Sequence, residues 1–372
     1  MPSRFTRDTS STRGGPPVVL DTGLVRYELV RSLGQGHHGE LLLARQRYPG
    51  GIGGYTLLKR LNRVTRQQDY QRLVEEARLG SQLRHPNIVS VQLLAGTPAK
   101  PFLLMEYVEG HPLGDLMRLA TRLGRALSEP LACHVTAEVA EGLHYAHGLL
   151  NERGRPLGIV HRDVTPRGIL LGRYGEVKLM DFAVAWSRLE GRTPTEGDSD
   201  LSQGSLAYGS PERARLDTLD GRSDLFSLGV ILLQLLTGRH LFDATARHEA
   251  ELRGHQLRSW DVSRAARTPG LEELSPARTE VLMRRIGSLT EQRLEEATQA
   301  LPEGLRSILH RTLAPRRENR CATGAELAQA LRDYLWTRGQ RYGRAELVAE
   351  VSALHADALG SLEDTKEDPK RP

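Results

Sequence analysis

A chain of 372 residues, 39% hydrophobic and 26% charged, has the make-up of a soluble globular protein large enough to bury a core of its own. Its formal charge is +5, but the arginines are interleaved with acids instead of gathered in blocks, which argues against a nucleic-acid-binding surface. Cys133 and Cys321 lie too far apart in sequence to suggest a metal-ligand pair, and they read as reduced thiols.

The N-terminal stretch "MPSRFTRDTSSTRGGPP" has no apolar run and does not read as a signal peptide; residues 1–23 are expected to be a disordered arm. From Val25 the pattern is of strands. "YELVRSL" and "GELLLARQ" flank a glycine-rich turn, "GGYTLLKRL" is a third strand and "FLLMEYV" a later one. Between them "QQDYQRLVEEARLGSQL" has apolar residues at helical spacing and leads into "RHPNIV", where Pro86 ends it. After Gly110 the signal turns helical. "LACHVTAEVAEGLHYAHGLL" is a long amphipathic helix, and "GAELAQALRDYLW" is a late one. "LFSLGVILLQLLTG" is too short to span a bilayer and reads as a buried helix. His134, His144 and His147 lack an acid or cysteine to complete a ligand set and read as packed or surface histidines. Residues 247–300 read as an added helical elaboration. Residues 339–372 read as a tail whose charged end, "SLEDTKEDPKRP", is disordered.

Four stretches carry chemistry. "LGQGHHGELLLA" sets Gly34, Gly36 and Gly39 between two strands, where glycines let the backbone approach phosphates; alone, it reads equally well as a plain hairpin. Lys59, one of five lysines in an arginine-rich chain, projects from the following strand as a compact point charge suited to phosphate oxygens. Glu76 is placed to pair with it, and adjacent Glu75 competes for that role. In "HRDVTPRGILL", Asp163 can accept or orient a hydroxyl proton; in "EVKLMDFAVA", Asp181 can ligate a cation that bridges nucleotide phosphates.

In that order and spacing the motifs resemble the eukaryotic-like (Hanks-type) serine/threonine protein kinases of bacteria, from about Val25 to Trp336. The resemblance implies an α+β, bilobal kinase fold over residues 24–338, with a β-rich N-lobe (24–107), an α-helical C-lobe (108–338) and a ligand cleft between them. It implies ATP and Mg2+ as cofactors and a protein substrate or signalling partner. Apart from the resemblance, the charge pattern, the short apolar window and the polar N-terminal stretch lead to the expectation of no nucleic acid, no membrane span and a cytoplasmic location. Carried over position by position, the resemblance assigns Asp163, Lys59, Glu76 and Arg167 to catalysis and Asp181 to the metal. Gly34, Gln35, Gly36, Gly39, Leu41, Leu57, Lys59, Met105, Glu106, Val108 and Leu170 fall to the nucleotide, and Arg162, Ser205 and Glu212 to regulation. It further implies that Asp224 braces the HRD backbone and that Arg320 pairs with Glu212.

The departures concern mechanism. Gly168 stands where the family has a magnesium-binding asparagine, and Thr165 where serine/threonine kinases have a lysine that reaches the transferred phosphate. Ala183 replaces the glycine of DFG, and Leu57 replaces a small alanine over the adenine. Arg167, four residues after Asp163, occupies a position where tyrosine kinases of this fold often carry arginine, and it partly offsets Thr165. In "RTPTEGDSDLSQGS" the acids Glu196, Asp198 and Asp200 either imitate a phosphate toward Arg162 or line a solvated loop. Two functions stay open: ATP-dependent phosphoryl transfer to protein Ser/Thr hydroxyls at reduced activity, or a pseudokinase serving as a nucleotide-responsive or nucleotide-independent scaffold.

Overall fold

The computed structural model describes residues 16–36, 39–61, 67–182, 185, 187, 206–242 and 276–367. The chain divides into two compact units, Met1–Val108 and Glu109–Pro372. The first is β-rich and the second mostly helical, an α+β arrangement.

The first unit holds an antiparallel six-stranded sheet in the order β1-β2-β3-β4-β6-β5. Its strands are β1 (Val18–Asp21), β2 (Arg26–Gly36), β3 (Gly39–Tyr48), β4 (Gly51–Arg60), β5 (Val91–Thr97) and β6 (Lys100–Glu106). Helix α1 (Gln67–Gly80) connects β4 to β5. Alternation along the strands sorts side chains onto two faces. Leu20, Tyr27, Leu42, Ala44, Leu58, Phe102 and Leu104 form a buried apolar cluster on one of them. Leu57 and Lys59, one residue to either side of Leu58, must therefore point to the other. The register sets them opposite Met105 and Leu103 of β6 and Leu43 and Leu41 of β3.

Strand β1 corrects one expectation. Residues 1–23 read as a disordered arm, yet Val18–Asp21 pairs with β2 and Leu20 is buried in the cluster; residues 1–15 lie outside the described part. A four-residue strand is stable only through its partner, so its own sequence gives little signal.

In the second unit, β7 (Gly110–Pro112), β8 (Ile169–Gly172) and β9 (Val177–Leu179) form a small antiparallel sheet. The helices of this unit are α2 (Leu113–Arg122), α3 (Glu129–His147), α4 (Pro211–Ala214), α5 (Gly221–Thr237), α6 (Pro276–Gly287), α7 (Glu291–Thr298), α8 (Glu303–Thr312), α9 (Gly324–Thr337) and α10 (Arg344–Glu367). Ser128 caps α3 by accepting from Leu131 N. Helix α5 is the stretch read as a buried helix, with residues from Ser223 to Leu233 all buried. It ends at Gly238, whose φ of 68° closes the helix in the left-handed region open to glycine. Within the expected elaboration at 247–300, α6 and α7 are helical, and residues 243–275 lie outside the described part.

The C-terminal tail also differs from expectation. It forms α10 as far as Glu367, and Leu347 and Leu354 are buried at 1% and 4% exposure. Glu350 accepts hydrogen bonds from Ser128 N, Ser128 Oγ and Tyr342 Oη. A docked first half removes the cost of nucleation, and the charged end then propagates as helix.

Candidate active site

In the first unit the glycine-rich turn joins β2 to β3, with Gly34, Gln35 and Gly36 at the end of one strand and Gly39 and Leu41 at the start of the other. Gly39 cannot be another residue: its φ is 134°, and a Cβ there would lie 2.2 Å from Arg60 O. Lys59 Nζ donates to both Glu76 oxygens, at 2.9 and 3.0 Å, and both residues are almost fully buried. Of the two acids considered on α1, Glu76 is the one that makes this ion pair. Leu57 is buried on the same face of β4 as Lys59, two residues earlier. Thr56 Oγ1 donates to Met105 O at 3.0 Å and ties β4 to β6. The Glu106 carboxylate accepts from Ser90 N, and its N–H donates to Ser90 O. Any role of Glu106 toward a base therefore falls to its backbone. Val108 is the last residue of this unit.

In the second unit the loop after α3 carries Arg162, Asp163, Thr165, Arg167 and Gly168 and runs into β8, where Leu170 sits. Asp224 of α5 lies beneath the loop. Its carboxylate accepts from His161 N at 2.8 Å and Arg162 N at 2.9 Å, and His147 Nε2 lies 2.8 Å from it. Burial alone would raise this carboxyl, but the His147 and His161 hydrogen bonds prevail and hold it below the usual range. His147 thus serves a carboxylate. Among the described residues no three His, Cys, Asp or Glu side chains gather as a metal cluster.

Arg162 has φ 68° and Asp181 φ 72°, conformations that non-glycine residues keep only where surroundings hold them. For Asp181 the neighbours are fixed. Met180 N donates to Gly168 O at 2.8 Å, His161 Nε2 is 3.2 Å from Met180 O, and the His161 and Phe182 rings meet edge-on at 4.4 Å. Gly168 itself is not left-handed. A Cβ built on it meets only ordinary contacts, 3.5 Å from Met180 O and 3.6 Å from Thr165 O.

Glu212, in α4, forms a buried bidentate pair with Arg320: Nη1–Oε1 is 2.7 Å and Nη2–Oε2 2.8 Å. Ser223 Oγ adds a hydrogen bond at 2.6 Å. Burial would raise the Glu212 carboxyl, but the guanidinium and the hydroxyl outweigh it and bring it down to about 2. Ser205 and Ala183 lie outside the described residues, as do Glu196, Asp198 and Asp200. Both cysteines are free and buried, and burial pushes the Cys133 thiol up to about 12. One residue the sequence reading passed over is Arg213, whose Nη1 donates to Arg162 O.

Residues 27–332 match the protein kinase domain family. The chain belongs to the protein kinase family. Among its relatives, the Tyrosine-protein kinase MasK of Myxococcus xanthus is 32% identical over 85% of this chain and 45% of its own length. The Serine/threonine-protein kinase PknB of Mycobacterium tuberculosis is 29% identical over 92% of this chain and 48% of its own. The Serine/threonine-protein kinase PksC of Streptomyces coelicolor is 35% identical over 59% of this chain and 38% of its own. This kinase chain thus spans about half the length, or less, of these relatives. A solved PknI kinase domain from Mycobacterium tuberculosis shares the fold, with a TM-score of 0.51 at 22% identity over 82% of this chain and 94% of that one.

Proposed function

We propose that this kinase chain transfers the terminal phosphoryl group of ATP to Ser or Thr hydroxyls of proteins. The observation that carries the reading is the buried Lys59–Glu76 pair. Burying two charges typically costs as much as their attraction returns, so stability alone gives little reason to keep the pair. A lysine oriented by a glutamate is instead a prepared contact for phosphate oxygens. Asp163, on a braced backbone, accepts or orients the hydroxyl proton. Gly34, Gly36 and Gly39 let the backbone of the turn come close to phosphates, and Leu57, Met105 and the backbone at Glu106 and Val108 are the contacts for the base. The chain's donors fit one magnesium ion: Asp181 supplies a carboxylate, and Mg2+ is commonly held by one or two carboxylates plus substrate phosphates. When bound, that ion neutralises charge on the phosphates.

A second reading, a pseudokinase scaffold, is favoured by Gly168, which offers no second ligand. Labelled ATP with magnesium and a mixed protein substrate separates the two. Phosphoserine and phosphothreonine are expected. Phosphotyrosine alone would place this kinase with MasK in specificity, an outcome for which Thr165 and Arg167 leave room. Bound nucleotide with no transferred label would favour the scaffold.

A further inference from the structure

Arg213 follows Glu212 directly, but its side chain serves a different partner. Its Nη1 donates to the carbonyl of Arg162, the oxygen of the same peptide group whose N–H belongs to Asp163. That N–H donates to His161 Nδ1 at 3.2 Å, while His161 N and Arg162 N are held by Asp224. Asp224 therefore grips the loop from α5, and Arg213 grips the next peptide from α4. Between these grips Arg162 sits at φ 68°, a conformation that reverts without such restraint. Gly209 lies beside the arginine stem: a Cβ there would meet Arg213 Cδ at 3.4 Å, close to an ordinary contact, and would crowd Leu206 O at 2.9 Å. Burial pulls the guanidinium below the usual arginine value, and the Asp163 and Asp224 carboxylates oppose that pull. An arginine keeps its charge even so.

We propose that Arg213 is a positioning residue for phosphoryl transfer, fixing the Arg162–Asp163 peptide and through it the aim of Asp163. The proposal rests on the kinase reading above, since Arg213 acts only through Asp163. Catalysis in this reaction class is mostly positioning, so loosening the base should lower turnover more than binding.

The test compares Arg213→Met, which cannot donate, with Arg213→Lys, which can. Two readouts are taken: steady-state phosphoryl transfer, and amide hydrogen exchange over residues 159–166. Arg213→Met should lower kcat by about tenfold or more while KM for ATP stays within about twofold. It should speed exchange in that segment and leave α5 protected, and Arg213→Lys should recover most of both. Should Arg213→Met not fold, Arg213→Gln, which removes the charge but stays polar, takes its place with the same expectation. Unchanged kcat and unchanged exchange would overturn the proposal. So would a loss that lysine fails to rescue together with faster exchange throughout α5, the mark of a merely structural residue. If wild-type protein transfers no phosphate, the kinase reading fails by itself, and local exchange still decides whether Arg213 holds the loop.

Discussion

At Gly168 the backbone is free of left-handed strain and the space beside it takes a Cβ in ordinary contact. The backbone therefore admits a side chain's first carbon, and neither strain nor a clash at Cβ requires glycine here. At Leu57 the opposite holds: the side chain is buried and should crowd a bound base. Leu57→Ala is expected to tighten ATP binding by relieving overpacking of about 1–3 kcal/mol, read by calorimetry. The same change leaves a cavity, so affinity must be compared well below the variant's melting temperature. Equal or weaker affinity would show that Leu57 does not roof the base. Glu212 makes a pH prediction. Its carboxyl falls from 4.5 to about 2 on folding, worth about 3 kcal/mol. A depressed carboxylate stabilises above its unfolded value, and that share is lost as pH falls from 4.5 toward 2. Glu212→Gln should flatten the acid limb of a stability–pH curve, and an unchanged limb would count against the pair. Lys59, Asp163 and Asp181 stand out in the sequence because their motifs have fixed order and spacing. Arg213 does not: whether one arginine among many reaches a carbonyl of another segment depends on how distant segments pack, which no local pattern announces.

Elements were legible where their period was strong. The buried helix α5 and the amphipathic α3 follow from their apolar spacing. Strand β1 and helix α10 did not, because each is stabilised by a distant partner more than by its own residues. Helix α10 reaches well beyond its buried leucines. Asp357 pairs with Arg125, His355 stacks on His111 with ring centroids 4.5 Å apart, and Arg344 covers Gly175 in the β8–β9 turn. This helix is thus part of the second unit although it lies wholly beyond residue 332, where the family match ends. Leu347→Ala is expected to cost about 2–5 kcal/mol in chemical denaturation. Leu359→Ala, on the same helix but 65% exposed, should stay within about 0.5 kcal/mol. Equal, small effects at both positions would mean that α10 is not docked in solution.

For the whole molecule the family and the α+β fold could be read from the motif order, while turnover could not, because the side chains kept and the side chains lost point in opposite directions. Nucleotide binding comes first. ATP with magnesium at 100 times its dissociation constant should stabilise the protein by about 2.7 kcal/mol, seen as a rise in melting temperature. Lys59→Met and Asp181→Asn should each diminish that rise. No rise at millimolar nucleotide would remove the ATP-dependent reading altogether. The most direct measurement is then the rate of label transfer from ATP by wild type, Gly168→Asn and Asp163→Asn, each alone and the two changes combined. Wild type should transfer measurably, and Gly168→Asn should be faster by about tenfold for each 1.4 kcal/mol of restored transition-state stabilisation. Asp163→Asn should abolish transfer in both backgrounds. Protein that binds ATP yet transfers no label, with or without asparagine at position 168, would contradict the kinase reading.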